Sequence, residues 1–454
     1  MDQRTLFFIL TRPGTDQLLL QRTGNKWCLP TYDQPVGEDV GFADPSPFNN
    51  WFAHQYGIAV VRHYPADLQG TDAAYFVLAP CGEAPSLPPD TLWISPAELG
   101  HLTIAPPTHR ALLTSWVADQ RPSATMPFAG PGGYAAPLAW MGAVLAQRGL
   151  ALLGEPEQVK NAYVSTVFRC PTSAGRVYLK IIPPVFMREV AITRRLGEWG
   201  IALPEVLALD EERGLLLTRE MGGSDLSACC TVDNLEAAVR AYARLQLAAV
   251  DRITHQDPWP FYDWRAGSIA TQLEGLAAQV RLQLQDSPYT LTEAEEVQLE
   301  RCLPAWAARV SQLQQGVLPY TLDHGDLRLG NTRLVEGEFI FYDWAWSALA
   351  HPFIGLPGLL HSVRRLLPDP VPDRARLRDA YLEVWTGQAP AEELRPSFDL
   401  AARLLPLYGV VGDLAWLQAI RRHLGETVPS ALSADAWTLR WRQYYFAVVV
   451  RRLL

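Results

Sequence analysis

The sequence predicts an α+β protein of more than one domain. Three observations predict it: a β-rich stretch up to about residue 80, a Pro/Gly/Ala-rich stretch at Arg121–Pro137, and beyond it a few strands followed by helices. At 454 residues the chain exceeds one ordinary core and suits two or three domains.

Leu6–Leu10 and Gln17–Leu20 are short apolar runs split by Pro13-Gly14, a turn pair. Ala73–Ala79 is a further strand candidate ending at Pro80, and Pro106-Pro107 leads into a helix through Trp116. Arg121–Pro137 has little periodic apolar character and reads as a linker. After it, Leu138–Leu153 reads as a helix, and Val164–Val167 and Val177–Ile182 as strands. Pro183-Pro184 opens a helix that Gly200 closes, matching the proline-first, glycine-last asymmetry of helices. Val206–Leu209 and Leu215–Thr218 are strand-like, and from Asn234 the chain is mostly helical. Thr292 with Glu295 forms a capping-box pattern.

Composition excludes several classes. With 48% hydrophobic and 19% charged residues, long disorder is ruled out. A net charge of −9 and no dense Lys/Arg run argue against nucleic acid as partner. The six cysteines form no Cys-x-x-Cys pair and the nine histidines do not cluster with them, so reduced structural thiols are expected rather than zinc. The first residues lack a signal-peptide pattern and their apolar run is too short to span a bilayer; a cytoplasmic protein without a membrane segment is expected, its oligomeric state unspecified.

The chemistry is concentrated in Leu322–Trp344. His324-Gly325-Asp326 is followed by Asn331, a hairpin is expected over Thr332–Val335 and Phe339–Tyr342 around Glu336-Gly337, and Asp343 ends its second strand. Phosphoryl transfer asks the protein mainly to align an acceptor hydroxyl with the γ-phosphate and to neutralise charge with metal. Asp326 can accept or orient the hydroxyl proton. Asn331 and Asp343 offer hard oxygen ligands, which suit Mg2+. Such a site also needs a strand lysine and a helix glutamate to hold it. Lys180 in Val177–Lys180 and Glu189 supply them, with Lys160 and Arg188 as weaker alternatives.

Residues 138–454 resemble the aminoglycoside phosphotransferase and choline kinase-like family. HGDLRLGN resembles its His-Gly-Asp-x-x-x-x-Asn motif, FYDW its Asp-Trp metal motif, RVYLK its lysine strand and LLLTREMGG its hinge. The resemblance implies a bilobal protein-kinase-like fold, with an N-lobe at 138–223 and a mainly helical C-lobe at 224–454. It implies ATP or GTP as donor with Mg2+, and a small hydroxyl-bearing acceptor. Asp326 would be the catalytic base, Asn331 and Asp343 the metal ligands, and Lys180 the α/β-phosphate contact. Backbone groups at Glu220 and Met221 would face the adenine. Two departures stand out. The loop before the lysine strand, Lys160–Val167, has no glycine, leaving Ser165 and Thr166 as its phosphate donors. Gly355 stands where the family often has an Asp that braces the catalytic loop.

Residues 1–118 resemble a degenerate Nudix-like α/β domain, joined by the 119–137 linker. Lys26–Pro30, Phe52–Ile58 and Thr91–Leu99 carry the likeness. Counting back from Gly57, His54 and Gln55 replace the metal-binding glutamates and Asn50-Trp51 the Arg-Glu pair; Glu38 alone survives. One carboxylate cannot build a multi-metal hydrolytic site, so a non-hydrolytic domain is expected.

His324 reads as a structural loop residue. Arg328 is open between solvent and a phosphate or anionic group. Trp259, Phe261, Tyr262 and Trp264 are either core or an acceptor pocket, with Asp263 and Arg265 beside them. Trp437–Phe446 reads as a packing helix. The leading function is a small-molecule kinase. The alternative is a pseudokinase-like binding or regulatory protein.

Overall fold

The computed structural model describes residues 4–12, 15–34, 44–67, 74–80, 87–118, 123–130, 132–253, 260–426, 429 and 433–454. Glu38, Cys81, Trp259 and the Pro13-Gly14 turn lie outside the described residues, as do 119–122 and Pro131 of the expected linker.

Two compact units divide the chain. The first comprises Met1–Val185, Glu212–Arg219 and Ala419–Trp441; the second comprises Phe186–Glu211, Glu220–Gln418 and Arg442–Leu454.

In the first unit, strands β1 (Arg4–Leu10), β2 (Leu18–Thr23), β3 (Lys26–Cys28) and β4 (Thr31–Gln34) lead to helix α1 (Ser46–Tyr56). Strands β5 (Val60–Asp67), β6 (Ala74–Pro80) and β7 (Thr91–Ile94) follow, then helices α2 (Pro107–Ala118) and α3 (Ala135–Gln147). A four-stranded sheet runs β4-β1-β6-β5, with β1 parallel to β6, and a three-stranded sheet runs β3-β2-β7. α1 offers Phe48, Phe52 and Tyr56 at helical spacing to Phe8 and Phe76 of the larger sheet. Each such fully buried aromatic stabilises the fold by about 1.5–3 kcal/mol relative to exposure. Gly57, at φ 66, ends the helix in the left-handed region that glycine enters without a Cβ penalty. His54 and Gln55 point to solvent from the last turn of α1.

The described residues of the Arg121–Pro137 stretch are packed rather than solvated as a linker would be. Met126, Phe128, Ala129 and Tyr134 are buried. Asp435 accepts hydrogen bonds from the Ser123 and Thr125 hydroxyls and from the amides of Ala124 and Thr125. Low periodicity misled here because the apolar residues are held by turns, which leave no regular spacing. α3 is also shorter than expected: Gly149 takes φ 69, and Leu152 instead makes a bridge to Thr172.

Strands β8 (Glu157–Ala162), β9 (Ser165–Thr172) and β10 (Gly175–Ile181) come next. β8 was not foreseen. β9 alternates buried and half-buried residues along its length, the pattern of a sheet with one face against a core. The chain then forms α4 (Arg188–Glu198) and β11 (Val206–Asp210) in the second unit and returns with β12 (Leu215–Arg219), antiparallel to β10.

A buried polar network joins β5 to β8. The backbone N–H of Arg62 donates to Gln158 Oε1 at 2.8 Å, and its carbonyl accepts from Gln158 Nε2 at 2.8 Å and Asn161 Nδ2 at 2.6 Å. The Arg62 guanidinium donates to the Asn161 carbonyl, and the Tyr134 hydroxyl to the Arg62 carbonyl at 3.2 Å. The expected separation of a front domain from a kinase-like N-lobe is thus replaced by one unit containing both.

The second unit continues with β13 (Ser224–Asp225), α5 (Val232–Ile253), β14 (Tyr262–Trp264), α6 (Ala266–Leu273), α7 (Leu276–Leu284) and α8 (Glu293–Gln314). The Thr292–Glu295 capping box is present: Thr292 accepts from the Glu295 amide and Glu295 from the Thr292 amide. β15 (Thr321–Asp323), β16 (Thr332–Val335), β17 (Glu338–Phe341) and β18 (Ala348–Ala350) frame the motif region. Helices α9 (Leu356–Ser362), α10 (Pro370–Glu383), α11 (Ala391–Leu424) and α12 (Ala434–Arg451) close the chain. α11 is long and apolar enough to cross a membrane, but 61% of its apolar window is buried in the protein. α12 buries Trp437 and Phe446, as expected of a packing helix.

Candidate active site

Two short sheets position the motif. β15 pairs with β18 in the sheet β14-β18-β15, and β16 pairs with β17 and β13. The catalytic-loop candidate, residues 324–331, runs from β15 to β16. The β16–β17 hairpin turns at Glu336-Gly337, with φ 50 and 90, and brings Asp343 back beside the loop. Asp343 itself sits at φ 65, an uncommon backbone state for a non-glycine residue that Asp tolerates better than most.

α5 supports the loop from below with two buried residues one turn apart. Gln246 donates to the carbonyls of Leu322 and Pro352, each at 3.1 Å. The Tyr242 hydroxyl accepts from the His324 amide at 2.9 Å and donates to Asp323 Oδ2 at 3.2 Å. Asp323 Oδ1 accepts from the Gly325 amide at 2.8 Å. Burial pushes the Asp323 carboxyl up to about 6, against the pull of its hydrogen bonds from Gly325, Tyr242 and the Gly355 amide.

Gly325 is required sterically. Its φ is 74, and a Cβ there would meet the Trp346 carbonyl oxygen at 2.2 Å. His324 is buried and ties two segments together. Its Nδ1 accepts from the Asp326 amide at 3.3 Å, so its Nε2 carries the proton donated to the Tyr342 carbonyl at 3.0 Å. Burial lowers its pKa, favouring the neutral ring, despite the nearby charges of Asp326 and Asp343.

Asp326 is partly exposed. Its Oδ2 accepts from Asn331 Nδ2 at 2.9 Å and from Arg328 Nε at 3.0 Å. Asn331 Nδ2 also donates to the Asp326 carbonyl at 2.9 Å. With the amide nitrogen committed twice, the Asn331 carbonyl Oδ1 is the atom it can offer elsewhere. Asn331 Oδ1 and the Asp343 carboxylate are both hard donors, and two protein oxygens match a Mg2+-type ion that keeps phosphate oxygens and water. Among the described residues no His/Cys/Asp/Glu group of three or more forms a fuller metal cage. The donor set therefore fits magnesium.

Lys180 lies half-buried on β10 in the first unit. Glu189 lies buried in the first turn of α4 in the second, with Arg188 beside it stacked over Tyr262 at 3.9 Å. Glu220 and Met221 are half-buried in the segment after β12. That segment is pinned to the motif hairpin: Arg333 donates to the Gly222 carbonyl at 2.8 Å and pairs with Asp225 at 2.8 Å.

Ser165 and Thr166 need correction. The β8–β9 turn is formed by Tyr163-Val164, and both hydroxyl residues are buried beyond it in β9. Thr166 Oγ1 meets Tyr134 and Asn161. Neither is presented as an exposed phosphate donor. The loop expected over Lys160–Val167 is confined to Tyr163-Val164, its flanks pairing as β8 and β9.

The aromatic cluster is mainly core. Phe261 packs on Trp199 and Tyr262 stacks with Trp264 and Trp346. Asp263 and Arg265 pair with each other at 2.8 Å. Trp264 does line a cavity of about 440 Å³ that opens at Asp326.

A family model described as "Phosphotransferase enzyme family" (APH) matches residues 157–394, more than half of the chain. This chain belongs to that family. The match spans β10, the 324–331 loop and the β16–β17 hairpin. Comparison with curated proteins finds no match. Among solved structures, a choline/ethanolamine kinase family protein from Mesorhizobium loti is 19% identical, covering 70% of this chain and 98% of its own, at TM-score 0.42. A macrolide 2'-phosphotransferase from Brachybacterium faecium is 18% identical, covering 65% and 99%, at 0.42. A choline kinase from Streptococcus pneumoniae is 13% identical, covering 68% and 99%, at 0.43.

Sequence reading missed Asp323 and Tyr242. Asp323 stood beside the motif, but its role depends on Gly355 and Tyr242, far away in the chain. The signal available was a pair of oddities: an extra Asp before His324 and a missing one at residue 355.

Proposed function

We propose that this phosphotransferase moves the γ-phosphate of ATP or GTP to a hydroxyl of a small molecule. The observation that carries this is the Asp326–Asn331 pair, in which one amide nitrogen fixes both the carboxylate and the backbone of the candidate base. Asp326 accepts the acceptor's proton as its oxygen bonds to the γ-phosphorus. The bond from that phosphorus to the β,γ-bridging oxygen breaks, and the nucleoside diphosphate leaves with the electron pair. Asn331 and Asp343 would hold Mg2+, which supplies charge neutralisation on the phosphates. Lys180 and Glu189 complete the donor side in this reading, with backbone at Glu220 and Met221 toward the base. The Nudix-like reading of residues 1–118 is supported by the mixed sheet and by α1 ending at Gly57; the exposed His54 and Gln55 support a non-hydrolytic role.

Arg328 on Asp326 is an exposed ion pair, worth at most about 1 kcal/mol. An incoming hydroxyl can therefore displace it cheaply. The test is phosphate transfer from Mg-ATP or Mg-GTP across a panel of hydroxyl compounds, read as labelled product. Asp326→Asn should abolish product while nucleotide binding persists. Nucleotide binding with no transfer to any acceptor would favour the pseudokinase-like alternative.

A further inference from the structure

The cavity at Asp326 carries a charge pattern that the catalytic reading does not use. Its walls come from the catalytic loop, from residues 354–362 and from Leu405–Gly409 of α11. Two acids face it, Asp326 and Asp323. Asp323 is spent on the Tyr242 hydroxyl and the Gly325 amide. Asp326 is the reacting group and already meets Arg328.

Besides Arg328, one further cation lines the cavity. Arg452 lines the cavity, exposed, and so does Ser362 at the end of α9. Next to Ser362, His361 has its pKa lowered by desolvation first and then by the charges of Arg364, Arg374, Arg452 and Arg365. Four arginines thus lie near His361, and one of them, Arg452, lines the cavity. Among the described residues none of the four makes a salt bridge; Arg364 instead donates to the His361 carbonyl at 2.8 Å. The nearest acidic residues in sequence are Asp369 and Asp373, and Asp373 caps the Asp369 amide. In a chain of net charge −9, Arg452, with no salt bridge among the described residues, favours an anion at the cavity that holds the candidate base. Trp264 and Tyr408 add apolar wall, packed edge to face on each other at 5.8 Å.

Resting on the kinase reading, we propose that the acceptor is a small hydroxyl compound bearing an oxyanion, which Arg452 holds at the cavity rim while Asp326 takes the proton of its hydroxyl. The γ-phosphoryl group passes to that hydroxyl oxygen, the diphosphate leaves, and the anion itself is unchanged.

Four hydroxyl probes of similar size separate the possibilities: glycerate, glycerol 3-phosphate, glycerol and choline. Each is titrated calorimetrically into full-length protein saturated with Mg-AMP-PNP and assayed for phosphorylation with Mg-ATP. One or both anions should bind and react at least about tenfold better than glycerol or choline, the carboxylate and phosphate arms telling which oxyanion fits. Arg452→Ala should raise KM for the preferred anion about tenfold, and the charge reversal Arg452→Glu should raise it further. Arg452 is surface-exposed past the end of α12, so both variants should fold; unchanged melting temperatures verify that. Preference for choline, displacement of the anion by Mg-AMP-PNP, or indifference of anion binding to Arg452 would overturn the proposal. Arg452-dependent anion binding with no transfer to any probe would retire the kinase reading and leave the anion site standing.

Discussion

The Asp323 carboxylate occupies the space that a side chain at Gly355 would need: a Cβ on Gly355 would lie 2.3 Å from Asp323 Oδ2. The two positions hold one carboxylate between them. Gly355→Asp alone should therefore clash with a buried group and cost stability, about 1–3 kcal/mol by overpacking. Asp323→Ala should leave the Gly325 amide without its acceptor and slow turnover. The double variant Asp323→Ala/Gly355→Asp should recover much of both losses. Urea midpoints and kcat for the four proteins of this cycle decide it; simple additivity would reject the compensation.

The same carboxyl predicts a pH dependence. Its folded pKa of about 6 lies above the unfolded value, so the folded state holds the proton more tightly. That stabilisation is complete below about pH 4 and is lost as pH rises through about 6. The full effect is on the order of 3 kcal/mol. Asp323→Asn, which cannot ionise, should gain stability relative to the parent between pH 4 and 7. A pH-independent difference in melting temperature would contradict this.

Asn331→Asp separates two roles of one residue. It keeps an oxygen for metal but replaces the amide that donates to Asp326 with a second carboxylate 2.9 Å away. Turnover should fall by about 10²–10⁴, similar to loss of the base itself, while Mg-nucleotide binding is retained. Retained activity would show that the amide bond to Asp326 does not matter.

Arg442 and Asp413 form a buried ion pair, with Arg442 stacked 4.3 Å over Trp416. Arg442→Met should destabilise by about 3–5 kcal/mol because Asp413 stays buried and uncompensated. Arg442→Met/Asp413→Leu should recover most of that in a denaturant titration.

The candidate catalytic loop was legible because its residues are local. His324, Asp326 and Asn331 lie within eight residues, and Glu336-Gly337 announces the hairpin that returns Asp343. Helix starts were legible where a cap marks them, as at Thr292. What escaped depends on partners far apart in sequence. Ser165 and Thr166 misread because β8 carries no strong alternation, so Lys160–Val167 read as a loop where β8 and β9 pair. Met126, Phe128 and Tyr134 escaped because burial through turns has no period. Arg452 at the cavity rim follows α12, whereas the other arginines near His361 come from the segment after α9 and from α10, and only folding gathers them.

The Arg62 network has a practical consequence for anyone dissecting this enzyme. Gln158 and Asn161 lie on the sheet that bears Lys180, yet their amide nitrogens donate to the backbone of β5. A fragment beginning at residue 138 would strip those partners away and leave polar groups of its own sheet bare, each lost bond costing about 1–3 kcal/mol where the site stays dry. The front of the chain is thus no detachable accessory. It is a wall of the house in which the lysine lives, and damage to β5 should be read out first as a weakened grip on nucleotide.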